Sequence, residues 1–409
     1  MTPGSATWSP ARRLASRFVL FYLAFYVSPF DLSDESDGGV TKGLVSWTGA
    51  RLGLDVAVLP NGSGDTTYNY VQVLCLVVLA LVAAVAFSLV ERRGRWDSAL
   101  FAALRVWIRY VLGYTMLTYG AFKVWKTQFP FPSPETLVLP FGEASPMRLL
   151  WTFMGYSAAY TMFAGASEML GGLLLLFRRT TLLGALVSAG VLANVVMLNF
   201  SYDVPVKLYS FHLLLLAVFL VAPDVTRLVR FFLRNQPVPP APERRPLGPK
   251  LERARVALKI LVAGAVVFGS MNAGYRSWRN YGDAAPKPPL YGLWDVEQFD
   301  RDGVPVPPLA TDKTRWRRVM IGSFVMAYPM DESKRSFRLK VDEAARTLEL
   351  IKPRGTVGTF HWERPDADTL HLVGTLDDTK VEMRLRRRDE NSFLLVNRGF
   401  HWVNEYPFN

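Results

Sequence analysis

The chain has 409 residues, half of them hydrophobic, with 47 Lys and Arg against 35 Asp and Glu, a formal charge of +12 at pH 7. The arginines gather beside long apolar runs instead of forming one basic stripe with interleaved aromatics, so the charge reads as membrane topology and argues against a nucleic-acid partner. Cys75 is the single cysteine. That excludes an intrachain disulfide, a thiolate metal site and a CxxC redox pair, and leaves any redox chemistry to a cofactor or partner.

With about 20 apolar residues as the length that crosses a bilayer, seven spans are predicted, at about 14–29, 71–90, 102–124, 150–177, 180–200, 207–222 and 256–274. Arg12 and Arg13 resemble the charged start of a signal peptide, but no small-x-small cleavage site follows the first run, which favours a retained helix. Arg12, Arg13 and Arg17 precede the first span, Arg92, Arg93 and Arg95 follow the second, Arg178 and Arg179 separate the fourth from the fifth, and a basic block from Arg227 lies before the seventh. Alternating spans put all four groups on one side, which the positive-inside rule makes the cytoplasm. The expectation is a multi-pass protein of the cytoplasmic (inner) membrane, N-terminus inside and C-terminal domain outside.

The outer side receives an acidic loop at 31–39, the proline-punctuated loop "FPFPSPETLVLPFGEASP" and the short "SYDVPVK". The expected domains are 1–98, a helix pair with an extracytoplasmic loop; 99–223, a four-helix core; 224–255, a cytoplasmic Pro/Arg-rich connector; 256–275, a transmembrane tether; and 276–409, an extracytoplasmic β domain. "NGS" at 61–63 matches a glycosylation acceptor, a motif too short to carry weight.

From about residue 289 the pattern changes to period two. "LYGLWDVEQFD", "WRRVMIG", "SFRLKV", "TLELIK", "TFHWER", "TLHLVG", "VEMRLRR" and "SFLLVN" read as about eight strands joined by tight turns. Such a series closes most readily into a small antiparallel barrel that hides its edges, with a shallow sandwich as the alternative. Gly292 and Trp294 in "GLWDVEQF" resemble the Gly-x-Trp opening of lipocalin-like barrels. The fold class expected is therefore a membrane all-α helical bundle followed by an all-β antiparallel barrel-like domain.

Glu168 stands in "TMFAGASEMLGGLLLLF", where an unpaired carboxylate costs several kcal/mol. A rise of about 1.5 Å per residue places it roughly 15 Å below Arg178, and places Arg109 at a similar depth on the preceding span, with Arg105 on the same helix face. An intramembrane ion pair between Arg109 and Glu168 is the expected solution; the alternative has both arginines snorkelling to the headgroups and Glu168 protonated. Gly165, Gly171 and Gly172 would let helices approach closely.

A second polar set lies near the outer surface: Lys123, Lys126, Asn194, Asn199, Asp203, Lys207 and His212. Together they could line an outward-opening pocket in which Lys123 and Lys207 bind a carbonyl or anionic group, Asp203 holds a lysine charged, and His212 titrates near neutrality. A quinone head group suits this set. The competing reading makes the lysines helix anchors and the asparagines and histidine interhelical hydrogen bonders. In the β domain, His361, His371 and His401 lie on separate segments without HxxxH or HExxH spacing, so no metal site is predicted; most aromatics there read as barrel filling. GxSxG, P-loop and GxGxxG motifs are absent from the sequence.

Residues from about 100 to 222 resemble the DoxX-like family of four-helix membrane domains. "YGAFKVW" matches that family's Gly-x-x-Lys at Gly120 and Lys123, and "SEMLGGLLLLFRRTTLLGAL" its Glu-x-x-Gly-Gly helix. The resemblance covers under a third of the chain. Members are linked to membrane redox systems, including a subunit of thiosulfate:quinone oxidoreductase, so it implies a quinone-linked component; the lack of haem or iron–sulfur ligand spacing makes it an accessory rather than a complete electron-transfer enzyme. Lys123, Asn199, Asp203, Lys207 and His212 are then the candidate cofactor-binding residues, and the β domain docks an extracytoplasmic protein partner. The alternative is a non-catalytic lipid- or partner-binding or assembly factor whose β domain captures a small apolar ligand. A transporter is weaker still, because no inverted repeat is visible.

Overall fold

The computed structural model describes residues 9–28, 40–58, 61–238, 248–322, 324–353 and 355–408. The acidic loop expected at 31–39 and most of the proline-rich connector, at 239–247, lie outside the described residues. The chain divides into two compact units, Met1–Phe129 with Ser145–Trp278, and Pro130–Ala144 with Arg279–Asn409.

The first unit is helical: α1 (Pro10–Tyr26), α2 (Val40–Leu52), α3 (Thr67–Val90) and α4 (Asp97–Val124) come first. After α5 (Pro134–Val138), which belongs to the second unit, follow α6 (Pro146–Tyr156), α7 (Ala158–Leu175), α8 (Thr181–Ser201), α9 (Lys207–Val221), the short α10 (Val225–Leu228) and α11 (Pro249–Tyr281). Among the described residues, five helical segments are long and apolar enough to cross a membrane: Thr67–Val90, Asp97–Val124, Arg178–Ser201, Lys207–Leu233 and Pro249–Tyr281.

Two of the seven expected spans do not appear among these five. The first run makes a 17-residue helix, α1, at the lower end of the length that crosses a bilayer. The run at 150–177 breaks at Ser157, whose side chain accepts from the Tyr160 amide (3.2 Å) and so starts α7 afresh behind α6. The helical segment that begins with α9 also runs on, through a π-helical turn at Val229–Leu233, and α11 begins at Pro249, so the connector is shorter than 224–255.

Within this unit α4 packs on α7, α7 on α8, α8 on α9, and α9 back on α4, so four helices close around one core. Ile108, Leu112, Met116, Leu175, Leu216 and Ala217 fill it, all nearly inaccessible. Small residues set the α4–α7 distance: a Cβ on Gly165 would come 2.6 Å from the Gly120 carbonyl oxygen, and one on Gly172 2.7 Å from that of Gly113. α1 packs on α3 and adds Leu20, Leu23 and Val27 to the same core. Arg17, read from sequence as a topology charge, is fully buried and pairs with Glu91 (2.8 Å) and Asp97 (2.9 Å), which ties α1 to the α3–α4 turn. Desolvation works to raise the Glu91 pKa, but amides of Arg95 and Gly94 and the Arg17 guanidinium outweigh it and hold the carboxyl below its ordinary range.

The second unit is a nine-stranded antiparallel sheet: β1 (Gly292–Arg301), β2 (Val304–Pro305), β3 (Trp316–Ile321), β4 (Phe324–Pro329), β5 (Arg335–Asp342), β6 (Thr347–Lys352), β7 (Gly355–Glu363), β8 (Thr369–Leu376) and β9 (Thr379–Arg388). The two-residue β2 pairs only with β1. The other eight run as a meander from β1 through β3 to β9, and β9 pairs back on β1 from Leu293↔Arg388 to Arg301↔Val381. The sheet is a closed eight-stranded barrel, not a sandwich.

Alternation explains closure residue by residue: Val381, Met383 and Leu385 of β9 point in while Glu382, Arg384 and Arg386 point out. Trp294, Phe299, Trp316 and Phe360 fill the interior. Trp294 donates to the Leu290 carbonyl (3.0 Å), and Gly292 before it holds φ +145°, a value that a side chain would strain. Gly374 is required for a different reason, because a Cβ there would fall on the Thr359 carbonyl and come 2.7 Å from the Phe360 Cα.

Two strand expectations need correcting. "SFLLVN" is not a strand but a 3-10 turn at Glu390–Ser392 followed by α12 (Leu394–Asn397); the barrel is already closed at β9, so this segment has no edge left to pair with. β4, "FVMAYP", was missed because its apolar face and its exposed Phe324 together blur the alternation. The loop 130–144, expected as an outer mouth of the helical bundle, belongs to the barrel unit, where the Phe131 amide donates to Asp283 (2.9 Å) and Glu143 pairs with Lys334 (3.2 Å).

Candidate functional site

The helical unit contains a cavity of about 530 Å³ bounded by α4, α6, α7, α8 and α9. Most of its wall is apolar, with Met116, Phe129, Leu150, Trp151, Met154 and Leu198 among the lining side chains. Lys123 and Glu168 supply the charged lining, with Thr115, Tyr119, Asn199, Tyr209 and Ser210 among its polar residues. The exposed Tyr160, Phe163 and Asn194 stand at the rim.

Glu168 is paired, but not with the expected partner. Lys123 Nζ donates to Oε1 at 2.7 Å and to Oε2 at 2.9 Å, and both residues are buried, at 7% and 3% exposure. The geometry follows from helix direction. α4 and α7 are antiparallel neighbours, and side chains lean toward the N-terminus of their own helix, so Lys123 from the end of α4 and Glu168 from the middle of α7 lean toward each other. Gly120 opposite Gly165 brings the backbones close enough for the pair to close.

The expected Arg109–Glu168 pair is therefore a correction. Gly113 opposes Gly172, which leaves Arg109 level with the end of α7, about two turns from Glu168. Arg109 is buried instead with its guanidinium over the Tyr110 ring (4.6 Å) and Nη1 3.5 Å from Thr181 Oγ1. Arg105 reaches the Leu220 carbonyl (3.3 Å) and Asp224 (3.8 Å) at the end of α9.

The second predicted set is split by the fold. Lys123, Asn194 and Asn199 line the cavity; Asp203, Lys207 and His212 do not. Lys207 pairs with Asp203 (2.8 Å), whose side chain is 83% exposed, and stands 3.8 Å from Asp65. That pair belongs to the start of α9, where Asp65 accepts from the amides of Lys207 (2.7 Å) and Leu208 (2.9 Å) and caps the helix. His212 faces α1. Its Nε2 lies 2.6 Å from the Tyr22 hydroxyl, its Nδ1 2.6 Å from the Leu208 carbonyl, and Tyr26 stacks on the ring at 4.0 Å. With both nitrogens and one ring face engaged, it works as an interhelical clasp.

Sequence reading missed Tyr119 and Tyr209, which face each other at 6.0 Å between ring centroids, as well as Trp151 and Gln128 on the wall. Gln128 brings a buried Oε1 that no protein group satisfies. Tyr119 was findable: it lies one turn before Lys123 on the same helix face. Gln128 was not, because it comes after the helix, where spacing says nothing about direction.

Among the described residues no group of three His, Cys, Asp or Glu side chains is placed to hold a metal. Cys75 is buried, 3.4 Å from Thr48 Oγ1. Inside the barrel, a small pocket of about 10 Å³ lies among Trp316, Phe360, Leu348 and Leu372.

No family profile and no solved structure matches the chain. It is similar to the uncharacterized protein YwoB of Bacillus subtilis (strain 168), at 29% identity over 150 residues, 37% of this chain and 95% of YwoB.

Proposed function

We propose that this is a multi-pass membrane protein whose helical unit binds a lipid-soluble molecule bearing a polar head, with the head against Lys123 and Glu168 and the apolar body along Phe129, Leu150, Trp151 and Met154. One observation carries this reading: a buried lysine–glutamate pair forms part of the wall of a cavity of about 530 Å³ that is otherwise mostly apolar. The pair occupies two protons of the ammonium, so the third is available to a carbonyl or hydroxyl oxygen, and the orphan Gln128 Oε1 is available to a donor. A quinone–quinol couple, with oxygens that accept in one state and donate in the other, matches both groups. Asn194 at the rim lies within an apolar span, which suits lateral entry from the bilayer.

In this reading the DoxX-like resemblance of residues 100–222 supplies the quinone-linked, accessory role, the basic segments face the cytoplasm of the inner membrane, and the barrel stands on the other side, where it meets a protein partner. The ligand belongs in the helical cavity and not in the barrel, whose interior is occupied by Trp294, Trp316, Phe299 and Phe360.

Mass spectrometry of an organic extract of the purified full chain tests the proposal. A prenylated quinone or related lipid is expected to copurify, to be lost in Lys123→Ala and to persist in His212→Ala. No enrichment over the surrounding lipid, or equal loss in both variants, would sink it.

A further inference from the structure

Beyond α12 the barrel unit carries a tail, residues 398–408, whose apolar side chains have nothing to cover them. Phe400, Trp402, Val403, Tyr406 and Phe408 are 60–91% exposed. The segment is nonetheless shaped: Arg398 Nη2 donates to Asn404 Oδ1 (2.7 Å), Nη1 lies 2.6 Å from His401 Nδ1, and the guanidinium sits over the Phe408 ring at 4.7 Å. Phe400 and Trp402 meet edge to face at 5.0 Å.

We propose that this tail is a membrane-surface element, its aromatic side chains seated at the boundary between headgroups and acyl chains of the bilayer that α11 crosses. Strand register supplies the first argument. Arg388, the last residue of β9, is paired with Leu293 at the start of β1, so the tail leaves the barrel at the end where the chain arrives from α11. Only about ten residues, 282–291, join the end of α11 to the start of β1.

Composition supplies the second. Residues 399–408 carry one formal charge, on Glu405, and combine Trp, Tyr and His with Phe, side chains with an apolar body and a polar tip that favour the interfacial belt over either water or hydrocarbon. Seating is accordingly apolar in origin, indifferent to anionic lipid and to salt.

The test uses the full chain with Cys75→Ser, reconstituted in phosphatidylcholine vesicles, with an environment-sensitive fluorophore on Glu405→Cys, which leaves all five apolar residues in place. Val304→Cys, in β2 beside the turn at the opposite end of the barrel, is the control. Lipids with a nitroxide near the headgroup are expected to quench the tail label at least about twofold more than the control, unchanged by added salt, and a Trp402→Ala/Tyr406→Ala/Phe408→Ala variant should fall to the control value. Equal quenching at the two positions overturns the proposal. So does shielding from aqueous iodide that disappears when the protein is diluted in the membrane, which would mean that a second copy covers the tail.

Discussion

The two units solve the same problem in opposite ways. The barrel closes eight strands around four large aromatic side chains, whereas the helical unit keeps a cavity of about 530 Å³ open with an ion pair in its wall. Both rely on glycine for close approach, at Gly374 between strands and at Gly120, Gly165 and Gly172 between helices. On the proposed reading the open interior takes the ligand, while the packed aromatic one contributes stability.

The largest expected effect tests the polar wall. Lys123→Ala strands the Glu168 carboxylate and should destabilise the helical unit by about 3–5 kcal/mol, while Lys123→Met with Glu168→Leu should recover most of the loss. Thermal unfolding of the full chain in mild detergent checks both; a single variant as stable as the double would mean that the pair is not buried as a unit. Comparable in size is Trp316→Ala, which should cost the barrel about 3–5 kcal/mol through a cavity that cannot collapse. Trp151→Ala only enlarges an existing cavity, and should cost less and chiefly change what copurifies. Equal losses for the two tryptophans would erase the contrast between filled and hollow interiors.

A smaller effect is expected at the helix contact, where Gly165→Ala must push Gly120 and Lys123 away and should cost about 1–3 kcal/mol. The smallest belongs to Asp312 in the β2–β3 turn. Its Oδ1 accepts from the Thr314 hydroxyl (2.7 Å) and from the amides of Thr314 (2.6 Å) and Arg315 (3.1 Å), and these bonds hold the carboxyl below its ordinary value of 3.8. A carboxyl lowered on folding stabilises the folded state above the unfolded pKa and loses that contribution as pH falls through the folded one. Acid titration of barrel stability should therefore show a decline beginning near pH 4, and Asp312→Asn should flatten it.

Local patterning made much of this legible. Runs of apolar residues marked the spans, and period-two alternation marked seven of the barrel strands. What failed had physical causes: the break at Ser157 is invisible to a count of apolar residues, "SFLLVN" has strand composition but no open edge to join, and 130–144 reads as a loop of whichever unit precedes it. At the site, Lys123, Glu168, Asn194 and Asn199 were each singled out, yet Glu168 was matched to the wrong cation, and His212 and Lys207 were assigned to a pocket they do not line.

The sequence by itself determined that this chain has an apolar helical part and a strand-built part, that a carboxylate in the fourth run needs a partner, and that its one cysteine can form no intrachain disulfide, because hydrophobic periodicity and composition are local properties of the chain. Tertiary structure alone decided which cation answers Glu168, which face His212 turns to, and which interior stays open. Those depend on the register of antiparallel helices and on barrel closure, which bring together residues tens of positions apart.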